Sequence, residues 1–370
     1  MDCKYFGECG ACRVYENGYE AQLNEKKELN EDRFLSFYDN NISVFKSLDS
    51  HYRSRSEFKI WHLGDEIHYG MNHIDKKGVV LVDECPQVNE HISVLMPKLL
   101  KEIEAKKIGF KLFGTDFLSS TSGEIVVSLI YHRKLDKEWE VEAAKVAAIL
   151  GIYIIGRSRK QKLVIGQDYV TESLMIDTKL YKFNHIENSF TQPNPRVNEQ
   201  MISWAMKNFS NIEGDLLELY CGAGNFTIPF SSKFEKVLAT EISKSSINAA
   251  KANMLLNDIS NIEFVRLNAT ETAEALNKER EFRRLKGIEL DEYNFSTVLV
   301  DPPRAGLDEA SLALVQKFNN IVYISCNPDT LARDLEELTN THKIVKAALF
   351  DQFPYTHHIE SGVYLERITK

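Results

Sequence analysis

The sequence lacks a long hydrophobic run, which argues against a membrane-spanning helix. Val146 to Ile155 is among the longest apolar stretches, and it falls well short of the roughly 20 residues that a bilayer requires. The first residues, Met1-Asp2-Cys3-Lys4, also lack the apolar core of a signal peptide. We therefore expect a cytoplasmic protein, in which cysteines serve more often as ligands, nucleophiles or core residues than in disulfides.

Proline and glycine are also scarce, with 9 and 18 residues in a chain of 370. Hydrophobic residues make up 43% and aromatic residues 10%, which excludes a largely disordered chain. At roughly 100–200 residues per domain, this length predicts two domains.

Positive charge is in deficit, because the net charge is −9. The deficit argues weakly against a nucleic-acid partner, yet the first half contains two basic clusters, Arg53-Ser54-Arg55 and residues 157–162. Such clusters can neutralise backbone phosphates. Charge alone leaves open whether they do so or lie on a solvated surface.

The two halves of the chain differ in rhythm. Residues 52–166 mix strand-like and helical stretches, which indicates an α+β domain. After about residue 184, apolar strands alternate regularly with helices, which is typical of a parallel sheet with crossover helices. We expect domains at residues 1–185 and 186–370, and a helix at about 20–37 that packs on the second domain.

A glycine loop follows the first strand of the second domain. Cys221-Gly222-Ala223-Gly224-Asn225 comes directly after an apolar strand, and Glu241 ends the next strand. Glycines let the backbone approach a ligand, and a carboxylate at the second strand end can bind both ribose hydroxyls. The third glycine of the dinucleotide fingerprint is absent, which favours S-adenosylmethionine over NAD.

Two further stretches lie at the ends of later strands of the same sheet, and a third lies near the C-terminus. Asp301-Pro302-Pro303-Arg304 forms a stiff loop, Cys326 ends the fifth strand, and Glu360 lies near the C-terminus. A thiolate that adds to carbon 6 of uracil makes carbon 5 nucleophilic toward an activated methyl group, and a base must then remove the carbon-5 proton. One cysteine, one base and one cofactor pocket in a single crevice suit this chemistry.

The motifs resemble those of the RNA uracil-5 methyltransferases, and most closely the bacterial tRNA type. The resemblance covers nearly the whole chain and is carried by residues 51–58, 190–194, 218–222, 301–304, 325–328 and 353–358. It implies a Rossmann-like class I S-adenosylmethionine methyltransferase domain behind an α+β RNA-binding domain. It also implies that Cys326 is the nucleophile and Glu360 the proton acceptor, and that the cofactor is bound by Gln192, Tyr220, Asn225, Glu241 and Asp301.

The same resemblance implies a substrate. In the family the tRNA type methylates the T-loop uridine at position 54 of tRNA, and tmRNA is a further substrate. A folded loop must be opened to expose the base, and Arg53, Phe113 and His132 are our candidates for contacts with the opened RNA. For each, surface charge or core packing is the alternative interpretation. We expect a monomer.

The N-terminal cysteines depart from the tRNA type. Cys3, Cys9, Cys12 and Cys85 are spaced like the iron–sulfur ligands of the related rRNA enzymes, so a [4Fe–4S] cluster is expected, with zinc or a metal-free site as alternatives. An rRNA uracil-5 methyltransferase is therefore the alternative function. Only two residues precede Cys3, so we expect no RNA-binding barrel in front.

Two other functions are less compatible with the residues. A tRNA-folding protein has no need of Cys326 and Glu360, although RNA folding fits as a second role. An amino-group methyltransferase usually has an aromatic residue where this chain has Arg304, and it has no use for Cys326.

Overall fold

The structure is a computed structural model, and it describes residues 1–64, 66–207 and 213–369. The other residues of the two predicted domains lie outside this description. The helices are α1 Gly18–Phe34, α2 Glu90–Ala105, α3 Lys137–Leu150, α4 Pro195–Met206, α5 Thr227–Phe230, α6 Lys244–Leu256, α7 Ala269–Leu276, α8 Glu309–Val315 and α9 Pro328–Leu338. The strands are β1 Ser43–Phe45, β2 Arg55–Leu63, β3 Glu66–Asn72, β4 Val79–Val82, β5 Leu112–Ser119, β6 Ile125–Tyr131, β7 Tyr153–Ser158, β8 Gln161–Ile165, β9 Tyr169–Ile176, β10 Lys179–Ile186, β11 Asp215–Leu219, β12 Val237–Thr240, β13 Ile262–Val265, β14 Phe295–Val300, β15 Asn320–Ser325, β16 His342–Phe350 and β17 Glu360–Arg367.

A seven-stranded sheet, in the order β4-β3-β2-β5-β6-β7-β8, forms the first layer of the molecule. The strand β2 alternates as expected for a strand with one covered face, since Phe58 and Ile60 are buried whereas Lys59 and Trp61 are exposed. The central strand β6 is instead buried at almost every position. The helices α2 and α3 pack on this sheet. In α3 the Asp136 side chain caps the first turn. This mixture confirms the predicted α+β character of the first half.

The second large sheet has eight strands in the order β1-β16-β17-β15-β14-β11-β12-β13. From β13 to β15 all neighbours are parallel, as the regular alternation of strands and helices predicts. The strand β17 then runs antiparallel between β15 and β16. The predicted Rossmann-like α/β fold is confirmed.

The N-terminal strand β1 joins the edge of this second sheet, and the helix α1 packs against the same part of the molecule. β1 pairs with β16 in parallel, and Phe34 and Ile42 lie in the same core as Leu217 and Val298. A separate hairpin of β9 and β10 also contributes Phe183 to the core on the opposite face. The division at residue 185 stays a prediction. Among the described residues, no helix is long and apolar enough to cross a membrane.

Candidate active site

The glycine loop lies at the carboxyl end of β11, near the centre of the eight-stranded sheet. Tyr220, Gly222 and Gly224 all have positive φ angles, of 61°, 55° and 86°. The two glycines adopt such angles readily. A bulky residue such as Tyr220 rarely does, and its conformation persists only where the surroundings hold it in place. The ends of parallel strands are where open α/β sheets bind ligands, and the strained backbone lies there.

Glu241, directly after β12, faces this loop. Its Oε2 accepts a hydrogen bond from the Gly222 amide at 3.3 Å, and its Oε1 accepts one from the Ser243 amide at 2.7 Å. These amides orient the carboxylate at the second strand end. A carboxylate in this place can receive two hydroxyls of a ribose.

Asn225 and Gln192 are oriented by other amides. Asn225 and Asn198 exchange side-chain hydrogen bonds of 2.8 and 2.9 Å, and the Gln192 Oε1 accepts one of 3.3 Å from Gln352. Gln192 lies just before Asn194, whose side chain caps α4. The segment that carries Gln192 is therefore fixed to the start of a buried helix.

One cavity of about 580 Å³ lies beside these groups, and its size is typical of small-molecule sites. It brings together all the residues predicted to bind the cofactor and to act on the substrate: Gln192, Tyr220, Asn225, Glu241, Asp301, Cys326 and Glu360. These residues come from separate strand ends and loops. The residues predicted from the sequence therefore share one site. Their individual roles stay predictions.

Cys326 and Glu360 are neighbours because of the antiparallel strand. Cys326 follows β15 and Glu360 begins β17, and Ser325 is paired with Ser361 in the ladder between them. The next position along the ladder therefore brings Cys326 opposite Glu360.

Burial dominates the acid–base properties of this pair. It raises the pKa of Glu360 to about 8, with a further increase from Asp301 and a decrease from Arg304. Burial likewise raises the pKa of the Cys326 thiol to about 11; Glu360 and Asp301 add to this and Arg304 opposes it. Burial also raises the pKa of Asp301 to about 7. The cavity thus disfavours negative charge unless a cation enters it.

Sequence reasoning missed Glu218, which also lines the cavity. Its side chain is 1% exposed, and its Oε2 has no hydrogen-bond partner within the described residues. Burial and Asp301 raise its pKa to about 8. A signal was present, since Glu218 is the acidic residue between Leu217 and Leu219 in a buried parallel strand.

The three residues predicted to contact RNA do not form one cluster. Phe113 and His132 stack with ring centroids 3.7 Å apart. Phe113 lies beside Gly114, which pairs with Lys59 at one end of the β2–β5 ladder. Arg53 precedes Arg55, which pairs with Leu118, so Arg53 lies at the other end. There Ser54 donates a backbone hydrogen bond of 2.8 Å to Pro193, next to Gln192. Their contacts with RNA stay predictions.

The four N-terminal cysteines line a common cavity but do not form a metal site. Cys3, Cys9, Cys12 and Cys85 all border it. However, the described residues contain no group of three or more His, Cys, Asp or Glu side chains placed to hold a metal ion. The Cys12 sulfur instead accepts a hydrogen bond of 2.8 Å from the Gln87 side chain. The expected [4Fe–4S] cluster is thus unsupported by the thiol placement.

Comparison with known proteins identifies the family. The model of the tRNA (uracil-5-)-methyltransferase family matches residues 18–368. The chain belongs to this family. It is 63% identical over 366 residues to a tRNA/tmRNA (uracil-C(5))-methyltransferase of Sulfurimonas denitrificans, with 99% of each chain covered. A protein of the same name from Nitratiruptor is 53% identical over 368 residues, covering 99% of this chain and all of the relative.

A solved structure confirms the fold. The tRNA (uracil-54, C5)-methyltransferase of Pyrococcus abyssi, in complex with S-adenosyl-L-homocysteine, superposes with a TM-score of 0.71. The match covers 94% of this chain and 83% of that protein at 23% identity.

Proposed function

We propose that this enzyme transfers a methyl group from S-adenosylmethionine to carbon 5 of the T-loop uridine, position 54, of tRNA. The observation that carries the proposal is the single cavity bordered by the glycine loop, Glu241, Cys326 and Glu360. The names of the full-length relatives support tRNA and tmRNA as substrates rather than rRNA.

The cofactor would occupy the part of the cavity beside the glycine loop. Glu241 would receive the ribose hydroxyls, while Tyr220, Asn225, Gln192 and Asp301 would border the rest of the molecule. S-adenosylmethionine supplies the methyl group on a positively charged sulfur. Buried carboxyl groups with raised pKa values suit such a ligand, because a cation nearby favours their ionised form.

Cys326 would begin the reaction by adding to carbon 6 of the uracil. The thiol must first lose its proton to solvent, because burial raises its pKa to about 11 and keeps it protonated in the free protein. Arg304 lowers this pKa, as does any positive charge bound in the cavity. Formation of the S–C6 bond would turn the ring into an enolate, whose carbon 5 would form the new bond to the methyl group; the sulfur–methyl bond would break and leave S-adenosylhomocysteine.

Glu360 would complete the reaction as the base. Its carboxylate takes the carbon-5 proton, and the electrons of that C–H bond re-form the C5–C6 double bond. The C6–S bond breaks, and its electron pair returns to Cys326 as a thiolate. Because the pKa of Glu360 is about 8, its active, ionised form increases as the pH rises toward that value.

The seven-stranded sheet would hold the opened T-loop, with Arg53, Phe113 and His132 as the proposed contacts. Aromatic rings stack on unpaired bases, and arginine binds phosphates. The stacked pair of Phe113 and the exposed His132 offers such a platform. RNA folding as a second role would use the same surface. We expect the protein to work in the cytoplasm as a monomer.

Cys3, Cys9, Cys12 and Cys85 are the cysteines at which a [4Fe–4S] cluster was expected, with zinc or free thiols as alternatives. Metal analysis distinguishes these three states. The four thiols border one cavity, and thiolates bind iron–sulfur clusters and zinc, although the described residues are not placed to hold a metal ion. Bound iron and sulfide in anaerobically purified protein, lost in Cys12→Ala, would establish a cluster. Neither iron nor zinc in that protein would mean that the thiols are free.

The test of the function is methyl transfer from labelled S-adenosylmethionine to three RNAs. These are an unmodified tRNA transcript, the same transcript with cytidine at position 54, and a large-subunit rRNA fragment. We expect label on the first alone, and we expect Cys326→Ala to bind tRNA without methylating it. Label on the rRNA alone would establish the alternative substrate, and methylation by Cys326→Ala would refute the nucleophile.

A further inference from the structure

The proposed catalytic base follows a nine-residue loop whose first half is contacted by the N-terminal part of the chain. β16 ends at Phe350 and β17 begins at Glu360, so residues 351–359 form the β16–β17 loop. Phe350 pairs with Glu360 at the end of the β16–β17 ladder that this loop connects. The position of Glu360 therefore depends on how firmly the loop is held.

Lys26 of α1 holds the start of this loop. Its Nζ lies 2.7 Å from the Asp351 Oδ1 and donates a second hydrogen bond of 3.0 Å to the Phe353 carbonyl. Gln22, one turn earlier, donates a hydrogen bond of 3.1 Å to the other oxygen of Asp351. Lys26 is 6% exposed and Asp351 is fully buried. A lysine is seldom buried to this extent unless it is paired, and here the pairing fastens the loop to α1.

The middle of the loop is held in a strained conformation. Tyr355 has a φ of 62° and is 1% exposed. Its carbonyl accepts hydrogen bonds from the amides of Arg13 and Val14, at 2.9 and 3.1 Å. The Tyr52 hydroxyl donates one of 3.1 Å to the neighbouring Pro354 carbonyl. A bulky residue with positive φ persists only where its surroundings determine its position, and residues from the first 52 positions supply these contacts.

We propose that residues 1–52, the N-terminal segment, position the catalytic base, and that Lys26 is the principal positioning residue. This inference rests on the proposed function of Glu360. Lys26 does not line the cavity that contains Glu241 and the glycine loop; it borders a neighbouring cavity together with Arg304 and Cys326. It acts on Glu360 through Asp351 and the backbone of the β16–β17 loop.

The two halves of the reaction should depend unequally on this contact. Cys326 follows β15, which pairs with β14 on the side away from β17. The glycine loop and Glu241 lie farther along the same sheet. A loosened β16–β17 loop should therefore leave the glycine loop, Glu241 and cysteine addition in place. It reaches the cofactor residues through one 3.3 Å hydrogen bond, from Gln352 to Gln192. Proton removal by Glu360 should slow, so that the methylated RNA stays bonded to Cys326.

The experiment compares Lys26→Met with Lys27→Met in the full-length protein. Lys27 is the matched control, because its half-exposed side chain lies 3.5 Å from Glu31 on the outer surface of α1. Tyr52→Phe is a second, milder variant that removes only the hydroxyl bonded to Pro354. With tRNA transcript and S-adenosylmethionine, the assays are turnover, the KM for S-adenosylmethionine, and the fraction of enzyme in a covalent RNA adduct on a denaturing gel.

We expect Lys26→Met to turn over roughly tenfold more slowly, in line with the cost of small displacements of a catalytic group. Its KM for S-adenosylmethionine should change by less than its turnover, because the loop contacts the cofactor residues only through the Gln352–Gln192 hydrogen bond within the described residues. Its adduct fraction should exceed that of the wild type. Tyr52→Phe should change in the same direction by less, and Lys27→Met should match the wild type.

Two results would overturn the positioning role. One is an adduct fraction equal in Lys26→Met and Lys27→Met. The other concerns both variants. In it, Lys26→Met loses cofactor binding and methylation in parallel and accumulates no adduct, while Tyr52→Phe behaves like the wild type. Failure of the wild-type protein to methylate tRNA would instead refute the proposed function.

Discussion

Replacing Glu360 by Gln should stabilise the ligand-free protein, and the gain should grow with pH. Glu360 is 4% exposed, and burial raises its pKa from 4.5 to about 8. Between these two values the folded protein binds a proton that the unfolded chain releases. The free energy of unfolding therefore falls as the pH rises through this range. Glutamine carries no charge at any of these pH values, so the variant avoids this loss.

The size of the effect follows from the same pKa values. A pH unit between the folded and unfolded pKa values is equivalent to roughly 1.4 kcal/mol. The gap from 4.5 to about 8 then gives a full loss of roughly 4 to 5 kcal/mol above pH 8. At pH 5.5 only about 1.4 kcal/mol of this loss has developed. The advantage of Glu360→Gln should thus grow by roughly 3 kcal/mol between pH 5.5 and pH 8.5.

Urea unfolding of both proteins at the two pH values measures this difference. Glu336→Gln is the control, because Glu336 is exposed on α9 and its replacement should shift stability equally at both pH values. The methyltransferase activity of Glu360→Gln should be lost under the same conditions. A stability difference that does not change with pH, or that favours the wild type at pH 8.5, would refute the buried, proton-binding carboxyl group.

Two other substitutions test the same cavity. Arg304 lowers the pKa values of Cys326 and Glu360, so Arg304→Gln should move the rising limb of the pH–rate profile for methyl transfer to higher pH; an unchanged profile would contradict this. Gly224 has a φ of 86°, and a Cβ there would lie 3.1 Å from the Ile228 side chain. Gly224→Ala should therefore lower the free energy of unfolding by roughly 1–2 kcal/mol, as urea unfolding can measure; an unchanged stability would contradict the constrained conformation of this loop.

Much of the α/β sheet and its ligand-binding edge could be predicted from local signals. Gly222 and Gly224 follow an apolar strand, and Glu241 ends the next one, so parallel pairing alone brings them to the same edge. The structure adds that the Glu241 carboxylate is oriented by the Gly222 amide. Spacing along the chain was sufficient here, because neighbouring parallel strands end on the same side.

The juxtaposition of Cys326 and Glu360 depended on topology that no local pattern reveals. It arises because β17 is inserted antiparallel between β15 and β16. The sequence interpretation placed both residues in one crevice through family resemblance and chemistry, not through strand order. For the same reason the contact of Lys26 with Asp351, 325 positions apart, could not be predicted. Glu218 was missed although its position as an acidic residue inside an apolar strand was visible in the sequence.

The most direct test of the proposed chemistry follows the carbon-5 proton. A tRNA transcript labelled with tritium at carbon 5 of its uridines is incubated with S-adenosylmethionine carrying a differently labelled methyl group. We expect one tritium released to water for each methyl group transferred, and neither event with Cys326→Ala. Methyl transfer without tritium release would mean that another atom of the RNA is methylated, and it would contradict the roles of both Cys326 and Glu360.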